Sequence, residues 1–370
     1  MKTVVILGGS FAGVGTAHRL LKQTAKTSDV KIILVSPNTH LYWNIAATRA
    51  IVPGQLKDDK IFQPITPGFK QYGARFEFVL GTAEGLNVNS QKVEVAGASG
   101  TLTLDYDILI LATGSRAKEG VPFKGVGSYE ATRDALHKFG ERVNAAKTIT
   151  VVGGGATGVE VAGELAFDFG TSKKIILIAS GATVLEGTPA SVSKTATKQL
   201  KSLQVEIKTG TKVSGTATMP DGRTEVTLFD GTKLTTDLYI PTMGLIPNSA
   251  YVPQHLLNQN GFVVVDQYLR VKGAENVWAV GDISAVQRAQ YVNVEKQSPH
   301  VAKNIILGLQ NKPLVTFKVD DKDMLAVPVG KKSGTGHMGS MKLPSFMVVM
   351  VKGKTLFTEK MAPTVSGAAY

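Results

Sequence analysis

The sequence predicts an α/β protein in which one strand, turn and helix unit occurs twice. The apolar run from Val4 to Leu7 meets the turn Gly8-Gly9-Ser10-Phe11-Ala12-Gly13, and helical periodicity follows that turn. The pattern returns where residues 148–152 meet Gly153-Gly154-Gly155-Ala156-Thr157-Gly158, again ahead of an apolar helix pattern. Units of this kind build parallel sheets, because a helix carries the chain back between strands.

A similar apolar strand closes each unit. Residues 107–114 end in Ala112-Thr113-Gly114, and residues 237–244 end in Gly244. Both strands begin with an aspartate that lies seven residues before the final glycine. An internal repeat of this kind favours two copies of one nucleotide-binding unit over two unrelated turns.

A glycine turn between a strand and a helix suits a dinucleotide. Glycine lets the backbone approach a pyrophosphate, and the free N–H groups and dipole of the helix N-terminus attract that anion. The second turn matches G-x-G-x-x-G completely, whereas Ser10 takes the middle glycine position of the first turn. One copy is also compatible with an ordinary tight turn, but two copies favour dinucleotide binding.

A third apolar strand comes late in the chain, where residues 276–282 end in Gly281-Asp282. The order of two glycine turns, an Ala-Thr-Gly strand and this late Gly-Asp resembles the flavoproteins with two dinucleotide-binding domains, in the pyridine nucleotide-disulfide oxidoreductase superfamily. In that family the late aspartate holds a ribitol hydroxyl of FAD, which the resemblance implies for Asp282. The alternative is that Asp282 only caps a following helix.

Within the superfamily the chain resembles the apoptosis-inducing-factor-like group, including ferroptosis-suppressor-type quinone reductases, and more distantly type II NADH dehydrogenases. The stretch 40–49, with Trp43 and Arg49, is similar to the segment that lies along the flavin and its pyrophosphate. Residues 153–164 are similar to the nicotinamide-side helix, which implies that Glu160 approaches the nicotinamide ring. An exposed carboxylate in the first helical turn is the alternative.

The helix with Gln297 and His300 resembles the one whose N-terminus points at the flavin ring. His300 is therefore a candidate proton donor to a reduced acceptor, and a packed or solvated histidine is the alternative. The resemblance also implies a discontinuous architecture. An FAD-binding domain spans 1–117 and 252–315, an NAD(P)H-binding domain spans 118–251 and is inserted in it, and a small C-terminal α+β piece spans 316–370. We therefore expect an α/β protein with two Rossmann-like domains.

The expected cofactors are FAD and either NADH or NADPH. The acid that usually binds the adenosine ribose is absent from both units. Ser36 and Asn38 follow the second strand of the first unit and are the candidates for that hydroxyl. Ser180 takes the matching place in the second unit, so the choice between NADH and NADPH stays open.

The residue inventory excludes several classes of site. The chain has no cysteine, which rules out a disulfide, a thiolate metal site and the redox dithiol of the disulfide-reductase branch. None of the six histidines lies three to five residues from another, so we predict no metal. The net charge of +12 comes from scattered basic residues, so we predict no nucleic-acid partner, and polyanionic cofactors are the simpler explanation.

The predicted location is cytoplasmic. The first strand begins almost at Met1, position 2 is Lys2 rather than the glycine of a myristoylation signal, and the longest apolar runs are too short to span a bilayer. Peripheral contact with a membrane is a further expectation. The apolar run 343–350 is flanked by six lysines and one acid between residues 331 and 360, which suits an anionic surface.

The predicted reaction is hydride transfer from NAD(P)H to flavin and on to an acceptor, for which a quinone reaching the C-terminal piece is the favoured candidate. A flavin-dependent tailoring oxidase or monooxygenase and a redox-sensing binding protein are the alternatives, and a buried strand at 346–351 is the alternative to the membrane contact. The candidate catalytic residues are Glu160 and His300, and the candidate cofactor-binding residues are Gly8, Gly9, Ser10, Phe11, Ala12, Gly13, Ser36, Asn38, Trp43, Arg49, Ala112, Thr113, Gly114, Gly153, Gly155, Ala156, Thr157, Gly158, Glu160, Ser180, Gly244, Gly281, Asp282 and Gln297.

Overall fold

A computed structural model describes residues 1–26, 30–319 and 323–370. The first part of the chain alternates strands and helices as the apolar patterns predict. Its elements are β1 (Lys2–Leu7), α1 (Phe11–Gln23), β2 (Val30–Ser36), β3 (His40–Tyr42), α2 (Ala47–Ala50), β4 (Phe62–Pro64), β5 (Phe76–Asn87), β6 (Lys92–Gly97), β7 (Gly100–Asp105), β8 (Ile108–Leu111) and β9 (Ser115–Ala117).

The middle part repeats this alternation and adds a small antiparallel sheet. Its elements are α3 (Tyr129–Ala145), β10 (Thr148–Val152), α4 (Ala156–Phe169), β11 (Lys174–Ile178), α5 (Ala190–Ser202), β12 (Glu206–Lys208), β13 (Val213–Thr218), β14 (Thr224–Leu228), β15 (Lys233–Thr236), β16 (Leu238–Pro241) and β17 (Leu245–Pro247).

The last part returns to the first sheet and then forms a separate small sheet with short helices. Its elements are β18 (Val277–Ala279), α6 (Tyr291–Leu309), β19 (Met324–Val329), β20 (Ser333–Met338), β21 (Met341–Lys342), α7 (Ser345–Val348), a π-helical turn (Val349–Gly353) that continues α7, and α8 (Met361–Ser366). Short 3-10 turns occupy Asn44–Ala46, Asp58–Lys60, Thr66–Arg75, Gly170–Ser172, Gln254–Leu256 and Thr358–Lys360.

The two predicted nucleotide-binding units form two separate sheets. The first has the order β18-β8-β1-β2-β5-β6-β7, with parallel pairing from β18 to β5. The second has the order β12-β11-β10-β16 and is parallel throughout. Val4 to Leu7 in β1 are at most 1% exposed, because layers of structure cover both faces of the sheet. The predicted two-unit α/β fold is confirmed.

The repeated aspartate has the same role in both sheets. Asp107 Oδ2 accepts a 2.7 Å hydrogen bond from the backbone N–H of Thr3, where β1 begins. Asp237 Oδ2 accepts 2.9 and 2.8 Å hydrogen bonds from the N–H groups of Lys147 and Thr148, where β10 begins. Each carboxylate thus ties the closing strand to the first strand of its own unit.

The chain leaves the first sheet and comes back to it at neighbouring points. Strands β9 and β17 pair antiparallel, with Ser115 opposite Pro247 and Ala117 opposite Leu245. Residues 118–244 lie between these two strands, so the inserted unit is joined through a two-stranded connection. The predicted boundaries at 117 and 252 lie beside it and stay predictions.

The C-terminal piece differs from one sequence expectation. Residues 346–351 do not form a buried strand, since α7 and the π-helical turn make this run helical, and Phe346 is 69% exposed. Pro344 has a φ of −58° at the N-cap position, and helical spacing turns Val348 inward while its neighbours face outward. Among the described residues, no helix has the length and apolar character needed to span a membrane.

The glycine-rich stretch after β19 forms strand β20 at residues 333–338. A Cβ added at Gly334 would lie 2.6 Å from Val348 Cγ1, and one at Gly336 would lie 2.0 Å from the carbonyl oxygen of Leu325. Glycine therefore allows α7 and β19 to pack closely on this strand.

Candidate cofactor-binding and redox site

The first glycine turn is shaped by contacts that only glycine permits. Gly8 has a φ of +120°, in the region that side chains disfavour. A Cβ added at Gly13 would lie 1.8 Å from the carbonyl oxygen of Gly8, and one at Gly9 would lie 2.6 Å from Ser36 Oγ. The turn therefore brings the start of α1 tightly over the ends of β1 and β2, as a pyrophosphate cradle requires.

The second turn repeats this geometry. Gly153 has a φ of +124°, and a Cβ at Gly158 would again lie 1.8 Å from the carbonyl oxygen of the first glycine in the turn. A Cβ at Gly155 would meet no atom within 4 Å, so the backbone at this position faces open space. Ala156 and Thr157 begin α4 directly behind it. The residues fit a second dinucleotide at this helix.

The N-termini of these two helices lack internal caps. At the surface helix α3, Ser128 Oγ accepts a hydrogen bond from the backbone N–H of Ala131. Ser10 before α1 and Gly155 before α4 provide no such side-chain hydrogen bond, and neither helix has an acid in its first turn. Two helix N-termini at the carboxyl ends of parallel strands are therefore left for anionic ligands.

The late Gly-Asp pair lies against the first glycine turn. A Cβ at Gly281 would lie 3.3 Å from the Cβ of Ala12 in the first turn of α1. The Gly281 N–H donates a 2.8 Å hydrogen bond to Gln297 Oε1 on α6. The structure thus brings the first glycine turn together with a strand end and a helix that lie more than 250 residues later in the sequence, at the position where the resemblance implies the FAD ribitol.

Asp282 is held by two side chains that the sequence reasoning missed. Its Oδ2 accepts hydrogen bonds from Ser115 Oγ at 2.9 Å and from Lys124 Nζ at 2.8 Å. These two contacts hold the carboxylate in place beside the first glycine turn. Lys124 follows the predicted domain crossing, and no local sequence signal singles it out.

The Ala112-Thr113-Gly114 strand end is linked to the return crossing. Thr113 Oγ1 donates to the carbonyl oxygen of Asn248 at 2.7 Å, and Asn248 Nδ2 donates back to the carbonyl oxygen of Thr113 at 2.9 Å. The Asn248 N–H donates to the carbonyl oxygen of Gly114. Gly244, with a φ of +81°, packs beside Lys118 where the chain returns. These residues therefore join the two units behind the cofactor sites.

Ser36 and Asn38 form a tight local turn at the end of β2. Ser36 Oγ accepts a hydrogen bond from the N–H of Asn38 and donates one to its carbonyl oxygen, each at 3.0 Å. Ser36 is 2% exposed, whereas the Asn38 side chain is partly exposed beside the first glycine turn. Of the two, Asn38 is the better placed to meet a ribose.

Trp43 and Arg49 contact the C-terminal piece, which the sequence did not indicate. Trp43 is 0% exposed, packs edge-on against Phe11 at 5.0 Å between ring centroids, and donates from Nε1 to the carbonyl oxygen of Leu356 at 3.0 Å. Arg49 is 2% exposed and forms a two-pronged ion pair with Glu164, at 2.9 and 2.7 Å. Burial of Arg49 explains its pairing with Glu164, since a buried guanidinium needs a carboxylate partner.

Arg49 also donates to the carbonyl oxygens of Gly353 and Lys354, at 2.7 and 2.9 Å. One guanidinium therefore joins α2 of the first unit, α4 of the second unit and the C-terminal π-helical turn. Direct contact of Trp43 or Arg49 with FAD stays a prediction, because the contacts in the structure are with protein groups.

Glu160 lies at the same three-way junction, one turn before Glu164 on α4. It is 5% exposed, and its Oε1 accepts a 2.6 Å hydrogen bond from Lys352 Nζ. Its Oε2 has a longer contact of 3.5 Å with Thr48 Oγ1 on α2. Glu160 is therefore not the exposed first-turn carboxylate of the alternative interpretation.

Burial raises the pKa of the Glu160 carboxyl, while the ammonium of Lys352 works in the opposite direction. The second carboxylate of the helix, Glu164, adds to the increase. Lys352 was missed because it lies 192 residues away in the sequence and in a run of ordinary lysines. The π-helical turn directs Lys352 inward, and such turns are frequent at functional sites.

His300 lies on α6, three residues after Gln297, and its contacts differ from those of Glu160. Its Nε2 is 3.0 Å from Asn304 Nδ2, and its ring meets Phe317 edge-on at 5.1 Å between centroids. Partial burial lowers the pKa of the imidazole, which weakens it as a proton donor near neutral pH. These contacts agree with a packed histidine, and a catalytic role for His300 stays a prediction.

Ser180 lines a cavity of about 550 Å³ at the ends of β11 and β12. Lys208 and Lys212 contribute the positive charge of this cavity, with Asp230 as its acid and Phe229 as an apolar wall. In a dinucleotide-binding unit this is the end of the sheet where the adenosine part of the ligand lies. The two lysines are a feature that sequence reasoning did not identify.

Each unit has a sheet with parallel strands, a glycine turn and an uncapped helix, and the Gly-Asp strand end lies beside the first turn. These features define a flavoprotein with separate dinucleotide sites. A family model described as pyridine nucleotide-disulphide oxidoreductase matches residues 2–304. The chain belongs to that family. It is an FAD-dependent NAD(P)H oxidoreductase without the redox cysteines of the disulfide-reducing members.

Curated relatives extend over almost the whole chain. It is 53% identical to oxidoreductase ptaL of Pestalotiopsis fici over 100% of both chains, and 29% identical to ferroptosis suppressor protein 1 of Homo sapiens over 96% of this chain and 93% of the human one. Among solved structures, the sulfide:quinone oxidoreductase of Aquifex aeolicus has the same fold, with a TM-score of 0.81 at 17% identity over 99% of this chain and 92% of the other. The predicted resemblance to ferroptosis-suppressor proteins is confirmed.

Proposed function

We propose that this oxidoreductase reduces a quinone-class acceptor at the junction where Glu160 meets Lys352. The observation that carries the proposal is the 2.6 Å pair of the part-buried Lys352 with the buried Glu160, in which Glu160 lies on the nicotinamide-side helix and Lys352 on the C-terminal piece. A part-buried ammonium at such a junction is a candidate proton donor to a bound acceptor.

The reaction consumes one NAD(P)H, one quinone and one proton and yields NAD(P)⁺ and a quinol. When bound, FAD would supply the redox chemistry, which is uptake of a hydride from NAD(P)H and transfer of its two electrons to the acceptor. Lys352 holds a proton at Nζ for a quinone oxygen and is re-protonated from solvent. Glu160 stabilises the charged ammonium, and Thr48 orients the carboxylate.

One comparison and one feature of the structure support a quinone over other acceptors. The name of the Aquifex structure includes a quinone as substrate of that protein. The C-terminal piece of this chain places exposed apolar side chains on the opposite side of the helical turn that carries Lys352, which suits an apolar acceptor. The cofactor-contact residues named above and the domain boundaries belong to this proposal as well.

Turnover with a panel of acceptors tests the function. With NADH and NADPH as donors, a water-soluble benzoquinone and a naphthoquinone are expected to be reduced faster than molecular oxygen. Measurement requires only the absorbance of the nicotinamide. Oxidation of a small metabolite together with the absence of turnover with any quinone would instead favour the tailoring-oxidase alternative.

The lysine-lined cavity leads to a prediction about the donor. Replacing Lys212 with Gln is expected to raise the KM for NADPH roughly tenfold, because a charge-assisted contact to the 2′-phosphate is lost. The KM for NADH, which has a hydroxyl there, is expected to change little. Steady-state kinetics with both donors measure the difference.

Lys138→Gln on α3 is a matched control, since Lys138 is exposed and lies outside the cavity. Equal changes in the KM for NADH and NADPH in the Lys212→Gln protein would show that the cavity does not hold the 2′-phosphate.

A further inference from the structure

The C-terminal piece presents an apolar face that nothing in the described structure covers. Phe346, Met347, Met350 and Val351, which we call the apolar face, are 69%, 37%, 61% and 50% exposed. Their spacing of one, three and one residues places them on one side of the helical run 345–353. Val348 and Lys352, on the other side, face the protein.

A row of methionines continues this surface across the small sheet. Met324 pairs with Met338, and Met338 pairs with Met341, so the three side chains stand side by side across β19, β20 and β21. They are 41%, 46% and 58% exposed. Gly334, on the same face of β20 as Met338, packs against Val348. The methionine row and the helical run therefore lie on the same side of the sheet.

Lysines dominate the charge around this surface, although Asp323 and Glu359 lie at the two ends of the C-terminal segment. Residues 324–358 contain five lysines and no acid, and residues 187–205 contain three lysines and no acid. The second set, Lys194, Lys198 and Lys201, forms an exposed lysine ridge along α5. Lys342 donates to Thr195 Oγ1 at 2.7 Å, and Gln199 Nε2 donates to the carbonyl oxygen of Gly334 at 3.0 Å, so the ridge adjoins the C-terminal piece.

We propose that this surface docks on an anionic lipid bilayer, with the apolar face entering the interface and the lysine ridge, Lys342 and Lys354 contacting the headgroups. Exposed apolar side chains rimmed by cations are the pattern of interfacial membrane binding. An identical copy is disfavoured as the occupant, because it would bring the same positive charge against itself. A nucleic acid is disfavoured because Phe346 is the one aromatic residue of the surface and base stacking needs more.

Docking in this way brings the pair of Glu160 and Lys352 close to the bilayer. Lys352 lies on the inner side of the helical run whose outer side is the apolar face. The docking itself requires no turnover, so its test is independent of the proposed quinone reduction.

Sedimentation of the FAD-loaded full chain with vesicles tests the proposal. Vesicles of phosphatidylcholine with phosphatidylserine are expected to bind the protein, more strongly at low than at physiological salt, and vesicles of phosphatidylcholine alone are expected to bind it weakly. The Lys342→Gln/Lys354→Gln variant is expected to lose roughly thirtyfold in partitioning, and the Phe346→Ser/Met350→Ser variant at least about tenfold.

Phe229 provides the matched control for vesicle binding, because it is 83% exposed and lines the cavity of Lys208 and Lys212 instead of the C-terminal surface. Phe229→Ser is expected to bind vesicles like the unmodified protein. A Phe346→Trp variant adds a direct readout, since its emission should shift to the blue on vesicles while that of Phe229→Trp should not.

Three results would overturn the proposal. Equal binding to neutral and anionic vesicles would remove the role of the lysines. Equal loss in Phe229→Ser and Phe346→Ser/Met350→Ser would remove the role of the apolar face. An absence of binding to either vesicle, with a concentration-dependent dimer that Phe346→Ser/Met350→Ser abolishes, would assign the surface to a second copy of the chain.

Discussion

Quinone reduction by a Lys352→Met variant is expected to be about 100-fold slower than by the unmodified enzyme, because loss of a positioned acid costs a factor of this order. Ferricyanide takes up one electron and no proton, so its reduction is expected to fall by no more than about threefold. Burial raises the pKa of the Glu160 carboxyl, and loss of the Lys352 ammonium removes the charge that opposes this increase. Steady-state rates with a water-soluble quinone and with ferricyanide measure both effects.

Lys354→Met is the control, since Lys354 lies on the same turn with an exposed side chain and shares the local sequence. It is expected to reduce both acceptors at the normal rate. Lys352→Arg is expected to keep the ion pair and recover part of the quinone rate. If Lys352→Met lowers quinone and ferricyanide reduction equally, the residue supports the fold or the electron transfer and not a proton transfer.

Loss of the Arg49 guanidinium is expected to lower the free energy of unfolding by about 3–5 kcal/mol, since removal of one partner leaves a buried charge uncompensated. Arg49→Met leaves Glu164 without its cation and the carbonyl oxygens of Gly353 and Lys354 without their donor. Urea unfolding followed by circular dichroism and by flavin fluorescence measures the change.

The double variant Arg49→Met/Glu164→Met is expected to recover part of this loss, because no charge then stays buried. Arg133→Met is the matched control: Arg133 pairs with Asp134 at 2.8 Å on the surface, where an ion pair contributes at most about 1 kcal/mol. An equal effect of Arg49→Met and Arg133→Met would contradict the role of the buried pair in holding the three parts of the chain together.

The cofactor turns were predictable because their signal is local. Gly8 and Gly13 lie five residues apart, and the clash of 1.8 Å that forbids a side chain at Gly13 involves the backbone of that same turn. The buried strand β1 was equally visible, since both of its faces are covered and its sequence is an unbroken apolar run. The repeated aspartates were visible as well, but their contacts with the starts of β1 and β10 emerged only from the structure.

Only one of the two partners in the Glu160–Lys352 pair was predictable from the sequence. Glu160 follows the second turn directly, whereas Lys352 is one lysine among several, and its role depends on a π-helical turn that directs it inward. Arg49 was noticed, but its partner Glu164 lies 115 residues away and has no sequence pattern that links the two. The run 346–351 was too short for its apolar content to distinguish a strand from a helix.

The two buried carboxylates of α4, Glu160 and Glu164, gain their cationic partners at different times during synthesis. Arg49 leaves the ribosome 115 residues before Glu164, whereas Lys352 follows Glu160 by 192 residues. At translation speeds of 5–20 residues per second, Glu160 therefore waits roughly 10–40 s for its partner. The Arg49–Glu164 pair can therefore form in a nascent chain that still lacks Lys352. The segment that carries Lys352 is therefore the last part of this junction to be synthesised.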